Sequence, residues 1–166
     1  MRNEHAVGID VSKKKLDICV ASGDKIKTKV LRNTPAGHAE LDDWLKQKGL
    51  PLTTPIVLEA TGPYSEAVAI VLADANWAVS VVTPARITGF AQSELSRSKT
   101  DKADAKLIAR FAQRAKLELW EPPSIAVRGL PALVDRLQAL MDMHPQELHQ
   151  PGTPRPRDRT QGRNQR

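Results

Sequence analysis

Apolar and polar positions along the chain fall into short runs first and longer helical periods afterwards. Ala6 to Val11 is an apolar run that passes through Asp10, and Leu16 to Ala21 is a second, set off by Ser12-Lys13-Lys14. Runs of this length bounded by turn residues read as strands. Gly23-Asp24 marks the next turn, after which Lys25 to Arg32 alternates, with Ile26, Thr28 and Val30 on one side and Lys25, Lys27 and Lys29 on the other. A period of two predicts a half-buried strand with a wet basic face. Three strands joined by tight turns predict an antiparallel meander.

Helical signals follow. Thr34-Pro35 is an N-cap with proline at the first helical position, Leu41, Trp44 and Leu45 form the inner side, and Gly49 stops the helix. Ile56-Val57-Leu58, ending on Glu59, has the fully apolar character of a central strand. Gly62-Pro63 opens a second helix, with Val68, Val71 and Leu72 inward, to about Asn76; Trp77 to Val82 is a fifth strand. Pro84 to roughly Leu95 is helical in pattern, with Gly89 weakening it.

The next helix is expected from an N-cap at Thr100 or Asp101 to about Lys116. Its spacing puts Asp104 among Leu107, Ile108, Phe111 and Ala115, with Asp101 at the edge of that buried sector and Lys102, Lys106, Arg110 and Arg114 on the other side.

Beyond Glu121-Pro122-Pro123, Ser124 caps what reads as a long helix carrying Leu133, Leu137, Leu140 and Met141, with Pro131 kinking it or confining its regular part. A stripe like this wants a partner. Pro151 to Arg166 has no sizeable apolar residue and is expected to be disordered.

Antiparallel strands followed by βα crossovers predict an α/β fold: a mixed five-stranded sheet flanked by helices, in the ribonuclease H-like order, with a C-terminal helix and a disordered tail. The expected organisation is a ribonuclease H-like domain over 1–120, a linker and amphipathic helix over 121–150, and an Arg/Pro-rich tail over 151–166.

Composition narrows the class. Aromatic residues are only 4% of the 166, so the core is aliphatic. The single cysteine, Cys19, excludes an internal disulfide and suits a reducing compartment, where it reads as a small core residue. One cysteine and four scattered histidines argue against structural zinc. No signal-peptide pattern opens the chain, and Ala67 to Val82 is too short and interrupted to span a bilayer, so a cytoplasmic location is expected. The net charge of +6 is uneven: the last sixteen residues, with five arginines and one aspartate, hold +4 of it. The bulk charge therefore says little about what the folded part binds.

The acids say more. Asp10 ends the first strand, Glu59 ends the central one, and Asp101 and Asp104 begin a late helix. Each has a plainer use alone: Asp10 as a turn former with Ser12, Glu59 as a solvated strand end, Asp101 and Asp104 as a cap pair. In an open sheet, however, sites gather beyond the carboxyl ends of strands. Carboxylates converging there need cations, and Mg²⁺, with Mn²⁺ as a substitute, matches hard oxygen donors. Two such ions can clamp the attacking and leaving oxygens of a phosphodiester. Lys13 and Lys14 follow Asp10, and Arg97 and Lys99 precede Asp101, where an incoming phosphate would pass; Lys102 and Lys106 extend the same positive side. A solvated helix face is the plainer account of Lys102 and Lys106.

Three segments carry a family resemblance: Val7-Gly8-Ile9-Asp10-Val11-Ser12-Lys13, Leu58-Glu59-Ala60-Thr61-Gly62 and Lys99-Thr100-Asp101-Lys102-Ala103-Asp104-Ala105. In this order they resemble the signatures of the DEDD transposases of bacterial insertion sequences, which are Piv invertase-like and have a RuvC-like N-terminal domain. The resemblance covers roughly Ala6 to Leu140. It implies an acidic tetrad of Asp10, Glu59, Asp101 and Asp104 and Mg²⁺-dependent cleavage and exchange of DNA strands. It also implies assembly into homo-oligomers and, in some members, a structured guide RNA. Such proteins continue into a second domain with a serine nucleophile. Here the similarity fades near Met143-His144-Pro145, which predicts a truncated copy. The alternative expectation is a module that binds nucleic acid or a partner subunit without doing chemistry.

Overall fold

The computed structural model describes residues 3–94 and 104–147. The Arg/Pro-rich tail, Arg97, Lys99, Asp101 and Lys102 lie outside the described residues. Two compact units divide the chain, Met1–Pro122 and Pro123–Arg166.

The first unit is a mixed sheet with helices on both faces. β1 (His5–Val11), β2 (Lys15–Ser22) and β3 (Lys25–Arg32) form the antiparallel meander that the short turns predict. Ser12 closes the first turn twice: its N–H and its hydroxyl both donate to the Lys15 carbonyl, at 3.0 Å each. β4 (Pro55–Glu59) and β5 (Ala78–Val82) then add in parallel beyond β1, giving the order β3-β2-β1-β4-β5.

One face carries α1 (Pro35–Gln47) and α2 (Pro63–Asp74). Val7, Ile9, Ile18, Ile56 and Leu58 pack there against Leu41, Leu45, Val68 and Leu72, all essentially inaccessible to solvent. The Thr34 cap works as predicted, its hydroxyl accepting from the Gly37 N–H at 3.2 Å.

The other face carries α3 (Pro84–Glu94) and α4 (Ala105–Arg114), with Ala6, Val57 and Val82 buried against Ile87, Leu107, Ile108 and Phe111. Gly8 lies under α4. A Cβ there would stand 2.3 Å from the Ala109 nitrogen and 2.4 Å from the Ala105 carbonyl oxygen. Only glycine lets the helix backbone come this close to the sheet.

Two expectations change here. The alternation in β3 predicts a covered side bearing Ile26 and Val30, yet these two are exposed at 41% and 61%. The ladder explains it. Lys27 and Lys29 pair with Val20 and Ile18, so the lysines share the α1 face, while Ile26, Thr28 and Val30 lie on the α4 face at an edge that α4 does not reach. Alternation reveals two faces but not which one is covered.

The second change concerns α4, which begins at Ala105 rather than near Asp101. Asp104 is its N-cap, in extended conformation and exposed, instead of a buried position within the helix.

In the second unit, Ser124 caps only the four-residue α5 (Ile125–Arg128). A new helix, α6 (Leu130–Glu147), starts after Gly129 with Pro131 in its first turn, where proline is tolerated. Leu133, Leu137, Leu140 and Met141 are exposed along it.

Candidate functional site

Register brings Asp10 and Glu59 together. Val7–Ile56, Gly8–Val57 and Ile9–Leu58 are successive rungs of the parallel β1–β4 ladder. One step further sets Asp10 beside Glu59. Both follow Gly8 and Val57 at a spacing of two, so both project on the α4 face. Each is half-buried. Burial pushes the Glu59 carboxyl above its ordinary range, and the charge on Asp10 pushes it further.

Helix α4 delivers Asp104 to the same end. At the start of β1 the Asn3 N–H donates to the Gln113 carbonyl at 2.9 Å, and the Asn3 side chain donates to the Ala112 carbonyl at 3.0 Å. Ala105 and Ala109 lie over Gly8, so α4 runs antiparallel to β1 and its N-terminus points toward Asp10. Cys19, opposite Gly8 in the β1–β2 ladder, senses the neighbourhood: burial raises its thiol pKa and the Asp104 charge adds to this, while Lys106 and Arg110 oppose it. Asp104 Oδ1 accepts from the Leu107 N–H at 2.8 Å, the geometry of an N-cap.

Among the described residues no group of three His, Cys, Asp or Glu side chains is gathered closely enough to hold a metal ion. Asp10 and Glu59 come together. Asp104 lies at the same end, engaged as a cap. Asp101 is outside the described residues. Of the expected phosphate contacts, Lys13 and Lys14 are exposed in the turn after Asp10, and Lys106 is exposed on the first turn of α4.

Sequence reading missed three residues. Asp17 pairs with Asp10 across the β1–β2 ladder and so shares its face; it forms a 2.8 Å ion pair with Lys15. The Lys15 ammonium is held above its ordinary range by that hydrogen bond and the Asp17 charge, and also senses Asp10. The tight Ser12–Lys14 turn was the available signal, because it fixes the register.

Asn33 is the third. Its N–H donates to the Lys14 carbonyl at 3.0 Å, and its side-chain amide donates to the carbonyls of Ser12 at 2.9 Å and Tyr64 at 3.1 Å. Its Oδ1 lies 2.7 Å from Nε2 of buried His38. With the amide nitrogen donating elsewhere, Oδ1 accepts and His38 Nε2 carries the proton. Asn33 thus ties the turn after Asp10 to the helix after Glu59, and no local pattern announces it.

The geometry defines a class. The solved structure of Thermus thermophilus RuvC in complex with a Holliday junction substrate superposes with a TM-score of 0.50 at 16% identity, covering 71% of this chain and 100% of that one. The fold is therefore RuvC-like, that is, ribonuclease H-like, as its element order predicts. Residues 7–150 match the model of the DEDD transposase family, described as a transposase, and the chain belongs to that family. It is 34% identical over 119 residues to the pilin gene-inverting proteins of Moraxella lacunata and Moraxella bovis, covering 71% of this chain and 37% of each relative. The chain thus spans little more than a third of the length of these relatives.

Proposed function

We propose that the first unit is the strand-cleaving module of a transposase, acting on DNA through carboxylate-held Mg²⁺. The observation that carries this reading is the meeting of Asp10 and Glu59 on one face, with the α4 N-terminus and Asp104 at the same end. The donor set fits a hard cation: burial and the Asp10 charge oppose the ionisation of half-buried Glu59, and a cation held by the two carboxylates would remove that penalty. Asp10 and Glu59 would hold it, with Asp104 and Asp101 completing the set.

Bound there, Mg²⁺ supplies Lewis-acid stabilisation of a phosphodiester and an acidified water. The chain's own residues would place the substrate. Lys13, Lys14 and Lys106 contact backbone phosphates beside the acids, and Arg97, Lys99 and Lys102 extend the track. The RuvC neighbour, solved with a Holliday junction, supports DNA as the partner. A guide RNA and self-assembly are carried over from the family resemblance.

A second reading has its own support. Asp104 serves as a helix cap, and no three-donor group forms among the described residues, which suits a module that binds nucleic acid or a partner subunit without chemistry.

Calorimetric titration with Mn²⁺ separates the two. Binding that is lost in both Asp10→Asn and Asp104→Asn, with circular dichroism unchanged, supports the cleavage module. Equal Mn²⁺ uptake by wild type and both variants removes it in favour of the binding module.

A further inference from the structure

The lysine side of β3, on the α1 face of the sheet but covered by α1 only in part, makes a feature that the acidic site does not use. The rungs Ser22–Lys25, Val20–Lys27 and Ile18–Lys29 set three lysines in a row on that face. Helix α1 covers only the last of them. Lys29 pairs with Glu40 at 2.8 Å and lies 5.6 Å from the centre of the Trp44 ring. Past the end of α1, Lys48 lies 5.4 Å from the same ring. Lys25, Lys27 and Lys48 line a cleft of about 190 Å³, with His5 and Ser22 also on its wall and no carboxylate among its lining residues. The ion pairs among the described residues join Lys15 to Asp17, Lys29 to Glu40 and Lys46 to Asp42; none takes Lys25, Lys27 or Lys48.

Each lysine has a plain use alone. Lysines on an edge strand discourage pairing with another chain, and a lysine after a helix favours its C-terminal dipole. Neither accounts for ammonium groups from two separate elements lining one concavity. Like charges so placed repel unless an anion joins them. Lys25, Lys27 and Lys48 are exposed, so the cleft is open to a large ligand. The neighbouring aromatic, Trp44, is already approached by Lys29 and Lys48, which leaves the cleft suited to a phosphate rather than to a stacked base.

We propose that this cleft is a second phosphate-binding surface, holding the backbone of a nucleic-acid segment other than the one at the acids. It lies on the opposite face of the sheet from Asp10 and Glu59. It also sits toward the other end of the strands: from Asp17, beside Asp10, to Val20 and Ser22 is roughly 10–17 Å along β2. The inference rests on the nucleic-acid partner in the function proposed above, and not on its metal chemistry.

The test is the binding of a fluorescein-labelled 30-base-pair DNA duplex to the full chain across a KCl series without divalent metal. Removing one lysine–phosphate interaction should flatten the slope of log K against log [salt] by about 0.9. Changing Lys25, Lys27 and Lys48 together to Gln is expected to flatten it by about 2–3 and to weaken binding roughly 10-fold or more at 100 mM salt. The corresponding triple Arg variant should keep the wild-type slope, and Lys46→Gln, at a lysine already paired with Asp42, should change nothing. An unchanged slope in the triple Gln variant, with its circular dichroism intact, overturns the inference, as does wild type that shows no salt-dependent binding. Mn²⁺ titration of the triple Gln variant keeps the two proposals apart. Weakened duplex binding with Mn²⁺ uptake as in wild type leaves both standing, and weakened duplex binding without Mn²⁺ uptake in wild type removes the metal site alone.

Discussion

Gly8 and Ala109 are in backbone contact: a Cβ on Gly8 would stand 2.3 Å from the Ala109 nitrogen. This contact sets how far α4 stands from β1, and hence where Asp104 lies relative to Asp10 and Glu59. Gly8→Ala must lift the helix or strain the strand, because the atoms it meets are backbone and cannot rotate away. Overpacking of this kind costs about 1–3 kcal/mol. Urea unfolding is expected to show that loss in midpoint, accompanied by weakened Mn²⁺ binding. Wild-type stability in Gly8→Ala would mean that α4 is not held at this distance.

The strands, α1 and its inner face were legible from the chain; the covered side of β3, the start of α4 and the break between α5 and α6 were not. Tight turns, apolar runs and the Thr34-Pro35 cap located the strands and α1 because those signals are local. Which side of β3 is covered depends on how far α4 reaches, and that is decided by residues some eighty positions away. Asp10 and Glu59 could be paired from sequence because strand ends cluster in an open sheet. Asp17 needed the register as well, which alternation alone does not give and which only the tight Ser12–Lys14 turn supplies. Asn33 bonds to carbonyls of the β1–β2 turn and α2, which no spacing predicts.

Glu59 is a liability to the metal-free fold. Its carboxyl is held above the ordinary range by burial and by Asp10, so the folded state binds its proton more tightly than the unfolded state does. Stability then falls as pH rises from the ordinary glutamate range through the folded-state value, and the full penalty is present above it. Glu59→Gln is expected to raise the melting temperature at pH 7 by about 1–2 °C, the size of a few tenths of a kcal/mol in a chain of this length. The gain should vanish below pH 4. Thermal melts across that range check it; a Glu59→Gln gain that persists at low pH would point to packing instead.

Asn33→Ala removes one acceptor and two donated side-chain hydrogen bonds in a single step, leaving buried His38 Nε2–H without its partner. Burying an unsatisfied group costs about 1–3 kcal/mol. Because Asn33 ties the turn after Asp10 to the start of α2 after Glu59, Mn²⁺ affinity should fall as well. Comparing Asn33→Ala with Leu41→Ala, a core change away from both strand ends, separates the effects. Only the former should weaken Mn²⁺ binding at temperatures where both variants are fully folded.

His38 itself adds acid sensitivity. Burial lowers its pKa below the ordinary histidine value, so the folded state resists protonation while the unfolded state accepts it. That contribution is complete above the unfolded value of about 6.5 and is lost as pH falls through the folded one. Denaturant midpoints of wild type are expected to decline from pH 7 toward pH 5, with a shallower decline in His38→Gln. Parallel declines would place the sensitivity elsewhere.

Asp104 can be asked directly whether it is a cap or a ligand, because serine caps a helix as well as aspartate does and cannot replace a carboxylate at a cation. Asp104→Ala should cost about 0.5–2 kcal/mol through loss of the hydrogen bond to the Leu107 N–H. Asp104→Ser should recover most of that stability. If Asp104 also serves the ion, Asp104→Ser will bind Mn²⁺ as poorly as Asp104→Ala despite its restored melting temperature. If its whole role is to start α4, Asp104→Ser will match wild type in both measurements. The acidic set would then reduce, among the described residues, to Asp10 and Glu59.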